Sequence, residues 1–338
     1  ISLTAYSSFF THAVHPDSGS VSGGTVVSVF GTRFPGDGRP LWCRFGNIIV
    51  NATFVSETHV TCIAPAHDEA GVSVDVSVSA NRVDWTESAA KFSYALPPRI
   101  AYVRPTSGTT SGGTVVTVFG WNFVKSAELR CRFGPSATPS VAVWRSVSEV
   151  ECKSPAASDA SEMLVSVEVS NNGMDFTSNE NAAMFAYSSD PVVETVTPSF
   201  GAVSGGTRVR IRGSNFELSH ALTCQFLSTS VPASFVDNST IECISPSSTV
   251  GIGRVRVSKN GVDYGPIHGH FEYVDRVRVL RAEPDLGSVR GGTIVRVEGS
   301  GFRDVASLKC VFGEIASFNA TFVTNSSIDC VSPPSTMV

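Results

Sequence analysis

Pro105-Thr106-Ser107-Gly108-Thr109-Thr110-Ser111-Gly112-Gly113-Thr114-Val115-Val116-Thr117-Val118-Phe119-Gly120-Trp121-Asn122-Phe123 is the stretch on which the reading of this 338-residue chain turns. It holds a proline seven residues before a glycine pair, a threonine after the pair, an apolar run and a closing Gly-x-x-Phe. The same order recurs around Gly23-Gly24-Thr25, Gly205-Gly206-Thr207 and Gly291-Gly292-Thr293, at spacings of 89, 93 and 86 residues. Each copy keeps its proline (Pro16, Pro198, Pro284) and its Gly/Phe end (Gly31/Phe34, Gly213/Phe216, Gly299/Phe302). Self-similarity at a fixed period marks a repeat architecture.

Further landmarks follow in register. Cys-x-Phe stands at Cys43/Phe45, Cys131/Phe133, Cys224/Phe226 and Cys310/Phe312, and Cys-x-[Ser/Ala]-Pro about 20 residues later. Phe-x-Tyr closes three copies, at Phe92/Tyr94, Phe185/Tyr187 and Phe271/Tyr273. The segments between read as strands. Val72, Val74, Val76 and Val78 alternate with polar residues, and Val209/Ile211 alternate with Arg208, Arg210 and Arg212. Asn172-Gly173 and Asn260-Gly261 are expected in two-residue hairpin turns that need positive φ, with Asn81-Arg82 in that place in the first copy. About seven short strands per copy, with turn signals every 8–12 residues, predict an all-β antiparallel sandwich.

Pro-x6-Gly-Gly-Thr, Gly-x-x-Phe, Cys-x-Phe-Gly, Cys-x-Ser-Pro and Asn-Gly-x-Asp-aromatic together resemble the IPT/TIG domains, a family of immunoglobulin-like β-sandwiches. The resemblance implies tandem sandwich domains in a semi-rigid rod, with repeats over 7–95, 96–188, 189–274 and, truncated, 275–338. Leu227 departs from the glycine of the other copies (Gly46, Gly134, Gly313). Tyr6 lies ten residues before Pro16, against eleven for Tyr94, Tyr187 and Tyr273. Residues 1–6 are therefore expected to be the closing strand of a preceding repeat, and the chain a window on a longer array. The connections, such as Ala95-Leu96-Pro97-Pro98-Arg99, are short and lack the Gly/Ser composition of a flexible coil.

Eight cysteines can pair in 105 ways. Repeat symmetry favours Cys43–Cys62, Cys131–Cys152, Cys224–Cys243 and Cys310–Cys330, separated by 19, 21, 19 and 20 residues. Closing a loop of that size is worth about 3 kcal/mol in the chain-entropy model. Buried free thiols are the alternative; zinc lacks a Cys-x-x-Cys pair or a nearby histidine. Disulfides imply an oxidising compartment, hence an extracellular or cell-surface chain. Asn-x-Ser/Thr occurs at Asn51, Asn238, Asn319 and Asn325, expected to be surface-facing glycan acceptors.

Composition narrows the function. The net charge of −5 argues against nucleic acid, whose phosphates require a basic surface. No apolar run approaches the roughly 18 residues of a membrane span, so no membrane contact is expected within this segment. An enzyme reading fails on inventory: the seven histidines are scattered, and His268-Gly-His270 is a metal pair without a third ligand. No cofactor or metal is expected. Asp84, Asp175 and Asp263 recur before an aromatic residue, where an Asp at a turn ordinarily bonds its own backbone.

Contact residues are sought where copies differ. Trp144 matches Phe54, Phe235 and Phe322 and reads as core, and Trp85 matches Phe176 and Tyr264. Trp42 aligns with Arg130, Thr223 and Lys309, and Trp121 with Thr32, Ser214 and Ser300, which suggests outward faces. Arg208, Arg210 and Arg212 should share one strand face, with Arg254 and Arg256 nearby: a glycan-binding row or a solvated face that blocks edge pairing.

These residues predict a non-enzymatic segment of a long extracellular polypeptide, the shaft of a surface filament, glycocalyx fibre or adhesin. Self-association or contact with neighbouring domains, covalent glycans, and a glycan or protein ligand are the expected partners. The alternatives are a receptor stalk of plexin-like or fibrocystin-like type, or a glycan-binding array of a secreted protein.

Overall fold

A computed structural model describes residues 9–157, 162–177, 183–266, 269–313 and 316–334. Residues 1–6, expected as the closing strand of a preceding repeat, lie outside the described residues. The chain divides into two compact units, Ile1–Asp190 and Pro191–Val338, each holding two repeats.

Repeat 1 comprises β1 (Phe10–His15), β2 (Ser18–Ser20), β3 (Val26–Thr32), β4 (Leu41–Phe45), β5 (Ile48–Ser56), β6 (His59–Ile63), β7 (Ser73–Ser79) and β8 (Lys91–Ala95). Their order is β1-β3-β6-β5-β4-β7-β8-β2. Strand β5 pairs with β4 through Ile48–Ala52 and with β6 beyond Ala52, so it carries the chain from one layer of the sandwich to the other. The count is eight strands rather than about seven, because the first strand breaks at Pro16 and its halves join opposite layers: β1 pairs antiparallel with β3, β2 parallel with β8.

Repeat 2 repeats this plan with β9 (Arg99–Arg104), β10 (Ser107–Thr109), β11 (Val115–Trp121), β12 (Arg130–Phe133), β13 (Ser140–Ser146), β14 (Glu149–Lys153), β15 (Met163–Ser170) and β16 (Ala183–Ser188). So does repeat 3, with β17 (Val192–Thr197), β18 (Phe200–Ala202), β19 (Arg208–Ser214), β20 (Thr223–Phe226), β21 (Thr229–Asp237), β22 (Thr240–Ile244), β23 (Gly251–Ser258) and β24 (Gly269–Val274). In repeat 4, β25 (Arg278–Glu283), β26 (Ile294–Ser300), β29 (Thr321–Thr324) and β30 (Ser327–Val331) form one layer; β27 (Lys309–Phe312) and β28 (Ala316–Asn319) pair by themselves. No helix occurs among the described residues.

The period-two pattern becomes the core. Val27 and Val29 are fully buried while Val26 is 52% exposed, and each repeat has its own apolar cluster. At its centre a phenylalanine packs edge-on between two rings: Phe92 lies 5.4 Å from Phe45 and 5.1 Å from Tyr94. Phe185 and Phe271 hold the same place in repeats 2 and 3. Burying such a ring stabilises by roughly 1.5–3 kcal/mol. Cys43–Cys62, Cys131–Cys152, Cys224–Cys243 and Cys310–Cys330 are bridged, with Cα–Cα distances of 6.0–6.4 Å. Each bridge runs through the core, as from β4 of one layer to β6 of the other.

The glycine pair is explained by what it abuts. Gly23 and Gly24 have φ of 74° and 90°, and a Cβ on Gly23 would stand 2.6 Å from the Ala66 nitrogen. Gly24 N–H donates to the Ala64 carbonyl at 2.9 Å, and Ala64 N–H to the Thr25 carbonyl at 2.8 Å. Gly-Gly-Thr and Cys-x-[Ser/Ala]-Pro are thus two sides of one close approach, which only glycine permits.

The two-residue hairpin is corrected. Residues 80–90 separate β7 from β8, and comparable segments separate β15 from β16 and β23 from β24. The asparagine side chain is the reason. Asn81 Oδ1 accepts from Val83 and Asp84 N–H at 2.9 and 2.8 Å, so the chain wraps around it instead of returning directly.

Candidate functional site

The wrapped turn is repeated with its geometry intact. In repeat 2, Asn172 Oδ1 accepts from Met174 and Asp175 N–H at 3.0 and 2.9 Å, and Asn172 Nδ2 donates to Asp175 Oδ2 at 2.8 Å. Asn81–Asp84 and Asn260–Asp263 show the same side-chain bond, also at 2.8 Å. The aromatic residue after each Asp is held by an arginine: Arg44 over Trp85 at 4.6 Å, Arg132 over Phe176 at 4.2 Å, Arg256 over Tyr264 at 5.3 Å. Arg132 is fixed in turn by the buried Glu168, with Nε–Oε2 at 2.6 Å. In repeat 3 the arginine has moved to the partner strand and bonds Gln225, the residue aligned with Arg132. The stack survives the exchange.

In the first unit this turn seats on the neighbouring repeat. Asn172 Nδ2 donates to the Ser18 carbonyl at 2.8 Å, and Thr25 Oγ1 donates to Asp175 Oδ2 at 2.6 Å. Asn172 retains 4% of its exposure and Thr25 1%. Asp175 thereby accepts from one donor in each repeat, and a charged acceptor roughly doubles the strength of such bonds. Within repeat 2, the Asn171 and Asn122 side chains donate to the Asn122 and Pro97 carbonyls at 2.8 and 3.0 Å. Between these contacts lies a cleft of about 770 Å³, lined by Ser18, Tyr94, Leu96, Val124, Asn172 and Phe176 among others. Burial pushes the Tyr94 phenol up to about 12. Its hydroxyl has no partner among the described residues, whereas Tyr187 donates to the Pro155 carbonyl at 2.9 Å.

In the second unit, repeats 3 and 4 meet through different chemistry. Arg303 grips Glu272 with two bonds of 2.7 Å and lies 5.6 Å over the Phe200 ring. Hydrogen bonding from Arg303 holds the Glu272 carboxyl below its usual range. Counted from the repeat landmarks, the same places in the first unit carry Val124, Ser93 and Ser18.

The other expected residues are distributed as follows. Trp121 is 58% exposed, while Trp42 is half-buried with Arg82 at 4.6 Å over its ring. Trp144 packs on its core and donates to the Phe123 carbonyl at 3.1 Å. Arg208, Arg210 and Arg212 are exposed on β19; the first two pair with Glu242 at 3.4 and 2.8 Å. Hydrogen bonding from Arg210 holds the Glu242 carboxyl below its usual range. Arg254 and Arg256 lie on β23 in the other layer. Asn51, Asn238, Asn319 and Asn325 are exposed. His268 lies outside the described residues. No group of three or more His, Cys, Asp or Glu fit for a metal occurs among the described residues, nor does a helix long and apolar enough to cross a membrane. Nothing in residue type marks Ser18, Thr25, Asn172 and Asp175 as joint residues; the recurring Asn-x-x-Asp spacing is their one signal in the sequence.

The model of the IPT/TIG domain matches residues 10–94, 98–186, 191–273 and 278–337. The chain belongs to the IPT/TIG domain family. It is 22% identical over 334 residues to fibrocystin-L of Homo sapiens, covering 94% of this chain and 7% of that protein. It is 29% identical over 242 residues to Plexin-A3 of Homo sapiens, covering 65% of this chain and 12% of that one. It therefore spans about a tenth of these relatives' lengths. The full extracellular region of plexin A4, domains 1 to 10, aligns with 96% of this chain and 34% of its own, at 16% identity and a TM-score of 0.38. A buried bridge in each IPT/TIG repeat belongs to an oxidising compartment, and the chain is extracellular or at the cell surface.

Proposed function

We propose that these four IPT/TIG repeats are a non-enzymatic spacer in the stalk of an extracellular receptor, of the plexin and fibrocystin kind, rather than the shaft of a self-associating filament. The observation that carries this reading is the joint between repeats 1 and 2, where Asn172 and Asp175 clamp Ser18 and Thr25. A chain whose work is to hold a distance needs its joints bonded, and this one is bonded through a backbone carbonyl and a side-chain hydroxyl. Matches to Plexin-A3 and fibrocystin-L support the receptor setting. The exposed Asn51, Asn238, Asn319 and Asn325 would carry glycans, and the open face of Trp121 suits a protein or glycan neighbour.

The test is joint rigidity. Residual dipolar couplings of repeats 1 and 2 should fit one alignment tensor in the native chain and two in an Asn172→Ala/Asp175→Ala variant. Two tensors in the native chain would refute the spacer reading. A filament needs a chain–chain contact of more than about 1,000 Å², so concentration-dependent growth in sedimentation would restore that alternative.

A further inference from the structure

The Asn-x-x-Asp turn of repeat 1 has the same form as the seated turn of repeat 2 but a different surrounding. Asn81 Oδ1 gathers the N–H groups of Val83 and Asp84, and Asn81 Nδ2 spends one hydrogen on Asp84 Oδ2 at 2.8 Å. In repeat 2 the second amide hydrogen goes to the Ser18 carbonyl, and the Asp175 oxygen accepts a second bond from Thr25. In repeat 1 neither extra bond exists among the described residues. Asn81 and Asp84 are exposed where Asn172 is 4% exposed, and Val83 is 75% exposed. The turn is nonetheless built as rigidly, with Arg44 stacked on Trp85 beneath it and the Ser79 hydroxyl donating to Asn81 Oδ1 at 3.2 Å.

We infer that the Asn81–Asp84 turn is a docking surface for another repeat of this kind, joined ahead of repeat 1 in the same polypeptide. The occupant is defined by chemistry. It presents a carbonyl from an x-Gly strand and the hydroxyl of a Gly-Gly-Thr threonine, as Ser18-Gly19 and Thr25 do for Asn172 and Asp175. The carbonyl takes the free Asn81 hydrogen and the hydroxyl donates to Asp84. The sequence signature of such a socket recurs in every repeat of the chain, at Ser107-Gly108/Thr114, Phe200-Gly201/Thr207 and Leu286-Gly287/Thr293. The inference rests on the reading of these repeats as an array with bonded joints.

The probe is an extended chain in which a second copy of residues 9–97 precedes residues 9–338, so that both copies keep the buried Phe9. Repeat 1 carries its own core and bridge, so the added copy has what it needs to fold. Side-chain amide exchange is read by NMR at Asn81 of the original copy, with Asn172 in the same sample as reference. The expected result is that extension slows Asn81 side-chain exchange at least tenfold, to the level of Asn172, and that Asp84→Ala abolishes the slowing while both copies stay folded. Unchanged exchange at Asn81 overturns the inference, whether or not Asn172 is protected. If Asn172 is unprotected as well, the bonded-joint reading falls with it. Protection of Asn81 in the unextended chain that rises with concentration also overturns it, since the socket would then be supplied by a second copy.

Discussion

The joint of the first unit and the joint of the second solve one problem with opposite materials. Between repeats 1 and 2, small and neutral groups at Ser18, Ser93 and Val124 leave a cleft, and an asparagine–aspartate turn bonds across it. Between repeats 3 and 4, Phe200 and Arg303 occupy those places and an ion pair with Glu272 makes the bond. The fold sets where repeats touch; single residues at three positions set whether the contact holds an ion pair. The β-sandwich is constant and the joint is variable.

The largest effect is expected from breaking the first joint. Thr25→Val keeps the shape but removes the donor to Asp175, costing about 1.5 kcal/mol, the low end for a bond to a charged group because Asp175 stays partly exposed. Chemical denaturation should show lower stability of the first unit with no change in the second. Equal loss in both would break the comparison.

Arg303→Ala should cost less, about 0–1 kcal/mol, as for other ion pairs open to solvent. Its signature is conditional. The Glu272 carboxyl is held below its usual value, so the pair's stabilisation is present above pH about 4.5 and is lost as pH falls through the lowered value. Salt also screens it, with a Debye length of about 8 Å at 0.15 M. Melting curves of native chain and variant should differ at neutral pH and low salt and converge in acid or at high salt. A gap independent of both would point to lost packing on Phe200 instead.

The smallest effect is a transplant. Ser93→Glu with Val124→Arg should give the first joint a few tenths of a kcal/mol together with the stronger salt dependence of an ion pair. Melting at two salt concentrations reads it directly. A salt response as weak as the native chain's would mean that these positions do not face one another as Glu272 and Arg303 do.

Much of the fold was legible because it is local and repeated. Val27 and Val29 alternate with exposed neighbours, each cysteine pair lies within one repeat, and Trp144 falls in line with phenylalanines. The Gly-Gly and Cys-x-[Ser/Ala]-Pro motifs were visible as motifs, but not as two sides of one contact. The joint was harder to see. Asp175 and Thr25 stand 150 residues apart, and Ser18 takes part through its backbone carbonyl, which no residue type advertises. Recurrence shows that a position matters in every repeat; it does not show what that position faces. From the sequence Asp175 reads as a turn residue bonding its own backbone, whereas Asn172 takes that part and the Asp175 carboxylate accepts from the Asn172 and Thr25 side chains.

The parallel pairing of β2 with β8 bears on what happens when the chain is pulled. Ser18–Ser20 run alongside Ser93–Ala95 in the same direction, with Ser93 N–H bonded to the Asp17 carbonyl and Val21 N–H to the Ala95 carbonyl. Tension enters repeat 1 through β1, which hangs on β3, passes Pro16 to the start of β2 and leaves at the end of β8. The strands are then loaded along their length, and their hydrogen bonds must slide and fail together rather than open one at a time. If they do fail, the Cys43–Cys62 bridge keeps the residues between those cysteines from extending. Repeats 1, 2 and 3 thus each have a shear latch at their mouth and a limit on how far they can lengthen.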